Sequence, residues 1–490
     1  MAQPGPPAGA AGPLGHPPAA PVAAPLALGT PRARWVLLAT VLASAMAFLD
    51  ASAVNVALPT LGADLGASLQ GLQWVVTGYT LALAALVLLG GSLGDRYGRR
   101  RVFLVGVVWF AAASLLCGLA PSTGLLVAAR VLQGVGGALL TPGSLAILQS
   151  SFPPGDRARA IGLWSGLGGV AGLGGPFLGG FLVDAASWRW VFLVNVPVAA
   201  AVVVVTLRHV PESRDPAAHG RFDVAGAVLA AVALGATTYA LVDAGGAGTW
   251  PSAAVGIAAG VGFVVRERRA RDPLLPLGVF ADRTFSGANL TTLAVYGALG
   301  GFSFFLVLQL QTVLGYTALQ AGAASVPPVL VISLLSARAG ALATRIGPRV
   351  PMTVGPLVAA AGMLHLSAAD AGDRFVTGVL PGSLVFGLGM ALTVAPLTAA
   401  VLAAAPDHLA GVASGVNNAV ARSGQLLAVA ALPVAVGLSG DDYARPDVLS
   451  DGFALALRVC AGLLAAGGVI AWLTVRGDVV ATSPTPDRPA

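Results

Sequence analysis

The sequence predicts an all-α polytopic membrane protein with about fourteen spans. Of its 490 residues, 56% are hydrophobic and only 10% are charged, and the mean hydropathy is +0.83. A helix needs about 20 predominantly apolar residues to cross the hydrocarbon core of a bilayer. Fourteen such helices need roughly 280 residues, which is close to the number of hydrophobic residues in the chain.

The apolar segments follow a pattern of six, two and six. Residues 1–34 are rich in proline, alanine and glycine, which predicts a disordered tail. Six long apolar runs follow in residues 35–206 as a first bundle, and six more lie in residues 284–476 as a second bundle. Between them, residues 207–283 contain polar linkers and two shorter spans, 222–242 and 251–265, of which the second is marginal in length. Residues 477–490 form a second tail.

The positions of the arginines predict the orientation of the spans. When successive loops are assigned to alternating sides, the arginine clusters fall on one side, including residues 99–101 and those between 266 and 283. The positive-inside rule identifies that side as the cytoplasm, and an even number of spans places both termini there. The usage of Ala, Gly and Arg without lysine is typical of GC-rich bacteria, so we expect a bacterial plasma membrane protein.

Residue usage excludes several classes of function. All 27 residues counted as Lys and Arg are arginines, so the chain lacks both the lysine of an ATP-binding P-loop and a Schiff-base lysine. The five histidines show no metal-ligand spacing, and both cysteines lie inside apolar runs. We therefore expect no enzyme, no cofactor and no metal. The net charge of +6 serves orientation and lipid contact in a membrane protein, so we expect no nucleic-acid partner.

Asp50 and Arg130 are charged residues within apolar spans, where charges are costly and mark functional sites. Asp50 lies past the middle of the first span, and Arg130 lies within the fourth. Burial disfavours the charged form of a carboxylate, which suits Asp50 to reversible protonation. The structural alternatives are a permanently neutral, hydrogen-bonded acid at position 50 and an arginine at position 130 that reaches the headgroups.

Two glycine-rich segments carry further signals. The loop after the second span reads GSLGDRYGRR, in which glycines permit a tight turn beside one acid and three arginines: Gly91, Asp95, Arg96, Gly98, Arg99 and Arg100. A weaker copy, GALATRIGPR, begins at residue 340 and has Thr344 in place of the acid. The fifth span contains GPFLGG, whose small residues allow close helix packing and whose proline bends the helix: Gly175, Pro176, Gly179 and Gly180.

Together these segments resemble the major facilitator superfamily and, within it, the fourteen-span drug:proton antiporter branch. The resemblance covers nearly all of residues 35–476 and includes LDASAVNVALP at 49–59 and LVAARVLQGVGGA at 126–138. It implies two six-helix bundles that rock around a central site, with gating by the 91–100 loop and proton coupling by Asp50 and Arg130. It also implies that GPFLGG marks an exporter. A solvated loop and generic helix packing are the alternatives for the two glycine-rich segments.

The resemblance further implies that a monomer in the lipid bilayer exports small amphipathic organic compounds in exchange for protons. An importer or lipid flippase on the same fold, and a non-transporting membrane sensor, stay open as alternatives. Residues for the substrate cavity are chosen for polar, aromatic or cationic side chains on spans expected to face it, and each is equally suited to core packing. They are Asn55, Gln73, Tyr79, Asn289, Tyr296, Phe305, Gln309 and Arg422.

Overall fold

A computed structural model describes residues 26–214, 223–270, 273–369, 372–406 and 409–477. The regular structure in these ranges is helical throughout. The α-helices are α1 Pro31–Leu65, α2 Leu69–Tyr97, α3 Arg99–Gly118, α4 Thr123–Ser151, α5 Pro154–Ala185, α6 Trp190–Leu193, α7 Asn195–His209, α8 Val224–Val242, α9 Thr249–Arg269, α10 Arg283–Leu308, α11 Ala318–Ala324, α12 Val326–Ile346, α13 Arg349–Leu366, α14 Leu380–Ala403, α15 Ala410–Ala435 and α16 Pro446–Thr474.

Helices α1 to α7 form the first bundle. Three of its long helices begin after a Ser or Thr whose side chain accepts a hydrogen bond from a free backbone N–H: Thr30 at α1, Ser68 at α2 and Ser122 at α4. Helix α1 packs against α5 and α7, and α4 packs against α2 and α3. Helix α1 begins at Pro31, so the predicted tail is four residues too long, and its residues 1–25 lie outside the described ranges.

Helices α10 to α16 form the second bundle. Helix α10 packs against α15 and α16, and α14 packs against α12 and α13. The sequence predicts one span over residues 319–343, whereas the chain forms α11 and α12 with a break at Ser325. Pro327 and Pro328 follow that break, and proline lacks the N–H that an uninterrupted helix needs.

The two additional helices, α8 and α9, lie between the two bundles in the sequence. They pack against each other. Helix α8 also packs against α2 and α15, one helix from each bundle. Helix α9 has 21 residues and is longer than the predicted span 251–265. Its helix continues through Arg266, Arg268 and Arg269, where the hydropathy of the sequence has already fallen. Basic residues in the last turn of a helix also interact favourably with its dipole.

Twelve helical stretches in the described ranges are long and apolar enough to cross a membrane. They include α8 and α9, while α13 and α15 are not among them. Helix α13 has 18 residues that include Arg349 and His365, and α15 carries several polar side chains in its first half. The chain is a multi-pass membrane protein, and the count of fourteen spans stays a prediction.

The apolar core differs between the two ends of the molecule. The largest buried cluster contains residues of both bundles, such as Leu61 and Leu72 with Phe305 and Leu457. We call this end, where α1 meets α2 and α15 meets α16, the closed end. The other two clusters, toward the end that carries residues 99–101, each belong to one bundle. We call that end the arginine-rich end. Among the described residues, the core that the bundles share therefore lies at the closed end.

Candidate functional site

A buried ion pair lies inside the first bundle. Asp50 on α1 and Arg130 on α4 are each about 1% exposed. The Arg130 Nη1 atom lies 2.5 Å from Asp50 Oδ2. A charge-assisted hydrogen bond of this kind is strong in a low-dielectric interior. The structure therefore joins the two intramembrane charges that the sequence analysis selected, and Arg130 lies in the bundle interior rather than at the headgroups.

Amide and hydroxyl groups hold the second oxygen of Asp50. Gln133 Nε2 donates to Asp50 Oδ1 at 2.7 Å, and Asn195 Nδ2 donates to the same oxygen at 3.1 Å. Ser114 Oγ accepts from both amides, at 2.8 and 3.4 Å. All three side chains are buried, and they come from α4, α7 and α3. The sequence analysis missed these three residues, because uncharged polar side chains in an apolar span carry no positional signal of their own.

Arg130 has partners besides Asp50. Its Nε donates to the Val75 carbonyl at 3.0 Å, and its Nη1 donates to Gln133 Oε1 at 2.5 Å. Its guanidinium also lies 4.4 Å from the centre of the Tyr79 ring, a cation–π distance. These contacts remain available when Asp50 is protonated. The arrangement can therefore hold the cation while the acid changes its charge.

Tyr79 is buried on α2 beside Arg130, inside the first bundle. Helix α2 also packs against α15, which carries Arg422, and α15 packs against α10, which carries Tyr296. The side chain of Arg422 is half-buried, and it has no ion-pair partner in the described part of the chain. Arg422 therefore lies on a helix that contacts both bundles.

The glycines of the GPFLGG segment bring the backbone of α5 into direct contact with two helices. A Cβ added at Gly179 would lie 2.8 Å from Ala53 Cα of α1, and one at Gly175 would lie 3.1 Å from Ser52 Cβ. A Cβ added at Gly180 would lie 2.6 Å from Leu319 Cα of α11, in the other bundle. Across the same interface, Gly322 of α11 packs against the Pro176 carbonyl group. These glycines allow backbone-to-backbone contact between the bundles at the closed end.

Polar groups also join the bundles at the closed end. Gln73 Nε2 donates to the carbonyls of Val429 and Ala430 at 2.8 and 3.0 Å, and Gln311 Nε2 donates to the Val56 carbonyl at 2.8 Å. Asp184 of α5 accepts from the backbone N–H groups of Ala318 and Leu319, which begin α11.

A phenol adds a further link at this end. Tyr443 donates from its hydroxyl to the Ala67 carbonyl at 2.7 Å. Burial raises the pKa of Tyr443, with a further contribution from the charge of Asp441. The phenol therefore stays protonated and donating at physiological pH.

The 91–100 loop lies at the arginine-rich end and is held by its own bundle. Asp95 near the end of α2 pairs at 2.8 Å with Arg99, the first residue of α3. Gly98 has φ of +112°, and a Cβ there would lie 2.8 Å from the Glu212 carboxylate, so glycine is required. Glu212 accepts from the Arg100 backbone N–H at 3.1 Å. Gating by an ion pair from this loop to the other bundle stays a prediction for a conformation closed at this end.

Three further residues of the loop have ordinary surroundings. A Cβ at Gly91 would make a normal contact with Pro142 at 3.5 Å. The guanidinium of Arg96 lies 6.0 Å from the Tyr97 ring, and Arg100 donates from Nη1 to the Val210 carbonyl at 3.1 Å. The segment that follows α7 thus binds the loop, which the sequence analysis did not predict.

The residues chosen for the substrate cavity do not form one site. Phe305 is fully buried in the shared core, and Gln309 donates to the Ala369 carbonyl and to Ser450. Asn289 accepts from Asn417 at 3.3 Å and lies in the wall of an apolar cavity. Asn55 is half-buried, and its Oδ1 has no hydrogen-bond partner among the described residues. Gln73 joins the two bundles at the closed end, Tyr79 packs on Arg130 inside the first bundle, and Tyr296 and Arg422 lie on the packed helices α10 and α15 of the second bundle.

Comparison with known proteins identifies the fold family. The sequence pattern of the Major Facilitator Superfamily matches residues 40–429. The chain belongs to this superfamily. It is therefore a membrane transporter and not an enzyme. The solved structure of a bacterial homolog to the human lysosomal transporter Spinster, in an inward-facing and unoccupied conformation, matches this major facilitator protein with a TM-score of 0.66 and 19% identity. The match covers 93% of this chain and all of the other, and it shows the fold.

Two relatives of this major facilitator protein are named for drug resistance. Multidrug resistance protein Stp of Mycobacterium tuberculosis (strain CDC 1551 / Oshkosh) is 39% identical over 406 residues, which cover 81% of this chain and 74% of that protein. Puromycin resistance protein pur8 of Streptomyces alboniger is 36% identical over 485 residues, which cover 94% of this chain and 96% of that protein. The second match extends over nearly the full length of both proteins.

Proposed function

We propose that this transporter exports small amphipathic organic compounds, drugs or antibiotics among them, from a bacterial cell in exchange for protons. The observation that carries the proposal is the buried Asp50–Arg130 pair, because an acid with such partners can exist in two charge states inside the membrane. The names of the two resistance proteins support export as the direction and drug-like compounds as the substrates. We propose that the monomer in the bacterial plasma membrane is the functional unit.

The proton is carried by Asp50. In the charged state its carboxylate holds Arg130, Gln133 and Asn195 together. Protonation removes the ion pair, and the guanidinium then relies on the Val75 carbonyl, Gln133 and the Tyr79 ring. Breaking a buried pair by removing one charge typically costs about 3–5 kcal/mol, so this change is large enough to shift a conformational equilibrium.

The conformational change is an alternation between a state closed at one end and a state closed at the other. The closed end in this structure is joined by the α5–α11 glycine contact and by Gln73 and Gln311. Separating the bundles at the closed end opens the path between them to that side of the membrane. We place the substrate path beside Arg422 of α15, because α15 packs against α2, whose Tyr79 contacts Arg130, and this proximity of helices supports competition between substrate and proton.

The test is an accumulation assay in cells that lack their own efflux pumps. Cells that express the protein are expected to accumulate less ethidium and puromycin than cells with an empty vector. A protonophore should remove this difference, because the energy comes from the proton gradient. Greater accumulation in expressing cells would support an importer instead, and an unchanged difference in the presence of the protonophore would exclude proton coupling.

The proposed orientation places the arginine-rich end in the cytoplasm with fourteen crossings. Reporter fusions after Arg101, Arg269 and Arg476 are expected to report cytoplasm, and a fusion after Gly246, between α8 and α9, is expected to report the exterior. A cytoplasmic signal at Gly246 would show that α8 and α9 do not cross. An exterior signal at Arg476 would change the parity of the crossings and remove the cytoplasmic C-terminus.

Arg422 is expected to select the charge of the substrate. Its guanidinium is half-buried without an ion-pair partner among the described residues, so it binds an acceptor or an anion. We expect Arg422→Gln to raise the Kd for fluorescein about tenfold, since charged hydrogen bonds contribute about 1.5–3 kcal/mol. The Kd for rhodamine 123, a cationic dye on the same xanthene frame, should not rise. Equal weakening of both dyes in equilibrium binding to purified protein would contradict this role.

A further inference from the structure

An apolar cavity of about 600 Å³ lies between the two bundles and the additional helices. Its walls come from α2, α8, α10 and α15, with Phe263 of α9 and part of the chain that precedes α10. It exists because the helices present small side chains to one another there, including Ala84 of α2, Ala230 and Ala233 of α8 and Ala419 of α15. Cavities of roughly 300–1,000 Å³ hold drug-sized ligands.

The cavity lies in the half of the molecule toward the arginine-rich end. Its wall in α10 begins at Ser286, three residues after the helix start at Arg283, and its wall in α2 lies within 84–89, near the helix end at Tyr97. The proposed orientation places this half in the cytoplasmic leaflet. An amphiphile dissolved in that leaflet is therefore at the level of the cavity.

The outer wall of the cavity is α8, one of the two additional helices. Helix α8 contacts α2 and α15 at the seam between the bundles, and α9 packs on α8. The opposite face of α8 is exposed, with Val228 at 53% and Val232 at 41%. The additional helices thus cover the seam at this level without filling it, and they leave a space that is partly open.

The inner wall is continuous with the proposed substrate path. Asn289 lines the cavity and accepts from Asn417, which also donates to Thr292 at 2.7 Å. Ser423 of α15 lines the cavity too, and the next residue toward the helix start is Arg422. Helix α15 therefore carries both a part of the apolar wall and Arg422, the proposed substrate contact.

We propose that this cavity binds the apolar part of the transported amphiphile, drawn from the cytoplasmic leaflet, before its polar part reaches Arg422. The inference rests on the proposed export function and assigns a role to α8 and α9, as the outer wall of a lateral binding site. The ligand class is an amphiphile with a large aliphatic or aromatic body and one acceptor or anionic group. The wall is nearly all apolar, so the hydrophobic effect provides the affinity.

The test compares two anionic dyes that differ only in an apolar tail, fluorescein and 5-octanoylaminofluorescein, binding to purified protein in nanodiscs. Ala230→Phe and Ala233→Phe fill the cavity from α8, and Val228→Phe places the same side chain on the lipid-facing side of that helix. The filled variants are expected to raise the Kd of the tailed dye about tenfold or more, because the tail loses its buried surface. The Kd of fluorescein should stay within about twofold, and Val228→Phe should change neither.

Three outcomes would overturn the lateral site. They are no binding of the tailed dye to the wild-type protein, equal weakening of both dyes, and no effect of either filled variant. The graded variant Ala230→Val should give a smaller change in the same direction, which keeps the test valid if a Phe variant does not fold. Proton-driven export is measured on the same proteins. Normal binding effects without export would refute the proposed function alone, and export that ignores the filled variants would refute the lateral site alone.

Discussion

Replacement of Asp50 by asparagine is expected to abolish uphill export. Asparagine has nearly the shape of protonated aspartic acid and cannot release a proton, so the cluster is fixed in its neutral state. Its amide can still contact Gln133 and Asn195, and Arg130 keeps the Val75 carbonyl and the Tyr79 ring. We therefore expect a folded protein that binds substrate and exchanges it across the membrane but cannot concentrate it. The measurement is substrate uptake into inverted proteoliposomes energised only by a pH gradient.

The matched control for this experiment lies on the same helix. Asp64 also pairs with an arginine, Arg189 at 2.7 Å, but its side chain is 46% exposed. Exposed ion pairs contribute little, so Asp64→Asn should leave uphill export close to the wild-type rate. Uphill export by Asp50→Asn would show that Asp50 is structural. Loss of uphill export in both variants would show that both acids on α1 are needed. It would contradict a coupling role that belongs to the buried pair alone.

Replacement of Gly180 by valine is expected to prevent closure of the closed end. The new Cβ would lie 2.6 Å from Leu319 Cα, and backbone on both sides leaves no flexible side chain to move away. The bundles must separate there, at a cost that overpacking usually sets at about 1–3 kcal/mol. Export should fall about tenfold or more, because one half of the alternation is disfavoured.

The position of the closed end can be measured directly in this variant. Spin labels at Pro121→Cys, in the loop before α4, and at Asp447→Cys, in the first turn of α16, occupy exposed positions of the two bundles at that end, and the native Cys117 and Cys460 are buried. The distance between the labels should be longer in Gly180→Val than in the parent. Gly174→Ala, on the same helix, adds a Cβ that meets nothing within 4 Å and should change neither distance nor export. An unchanged distance in Gly180→Val would show that the α5–α11 contact does not close this end.

The sequence was sufficient for the fold class and for the two charged members of the site. A charge inside an apolar span is rare enough to be noticed from one sequence, which is why Asp50 and Arg130 were found. Gln133, Ser114 and Asn195 were not, because their importance comes from the meeting of four helices and not from any local pattern. Gly180 was found as a small residue, but its partner α11 could be known only from the packing of the two bundles.

The residues predicted to line the substrate cavity show more clearly what the sequence alone does not specify. Gln73 and Gln309 have the same side chain on apolar spans, yet one joins the two bundles at the closed end and the other bonds inside the second bundle. Hydropathy does not distinguish these two roles, because it gives no information on how a helix is rotated about its axis. The lateral cavity is a stronger example. It depends on where α8 docks, and no feature of residues 224–242 specifies α2 and α15 as its neighbours.

The central claim is that substrate and proton compete through Asp50, and proton release on substrate binding tests it most directly. Weakly buffered, detergent-solubilised protein is mixed with a dye that the accumulation assay has identified as a substrate, and the pH is recorded with an indicator. The account predicts that wild-type and Asp64→Asn proteins release protons in proportion to the bound dye, and that Asp50→Asn binds the dye without releasing any. Equal release from Asp50→Asn and wild-type protein would contradict it.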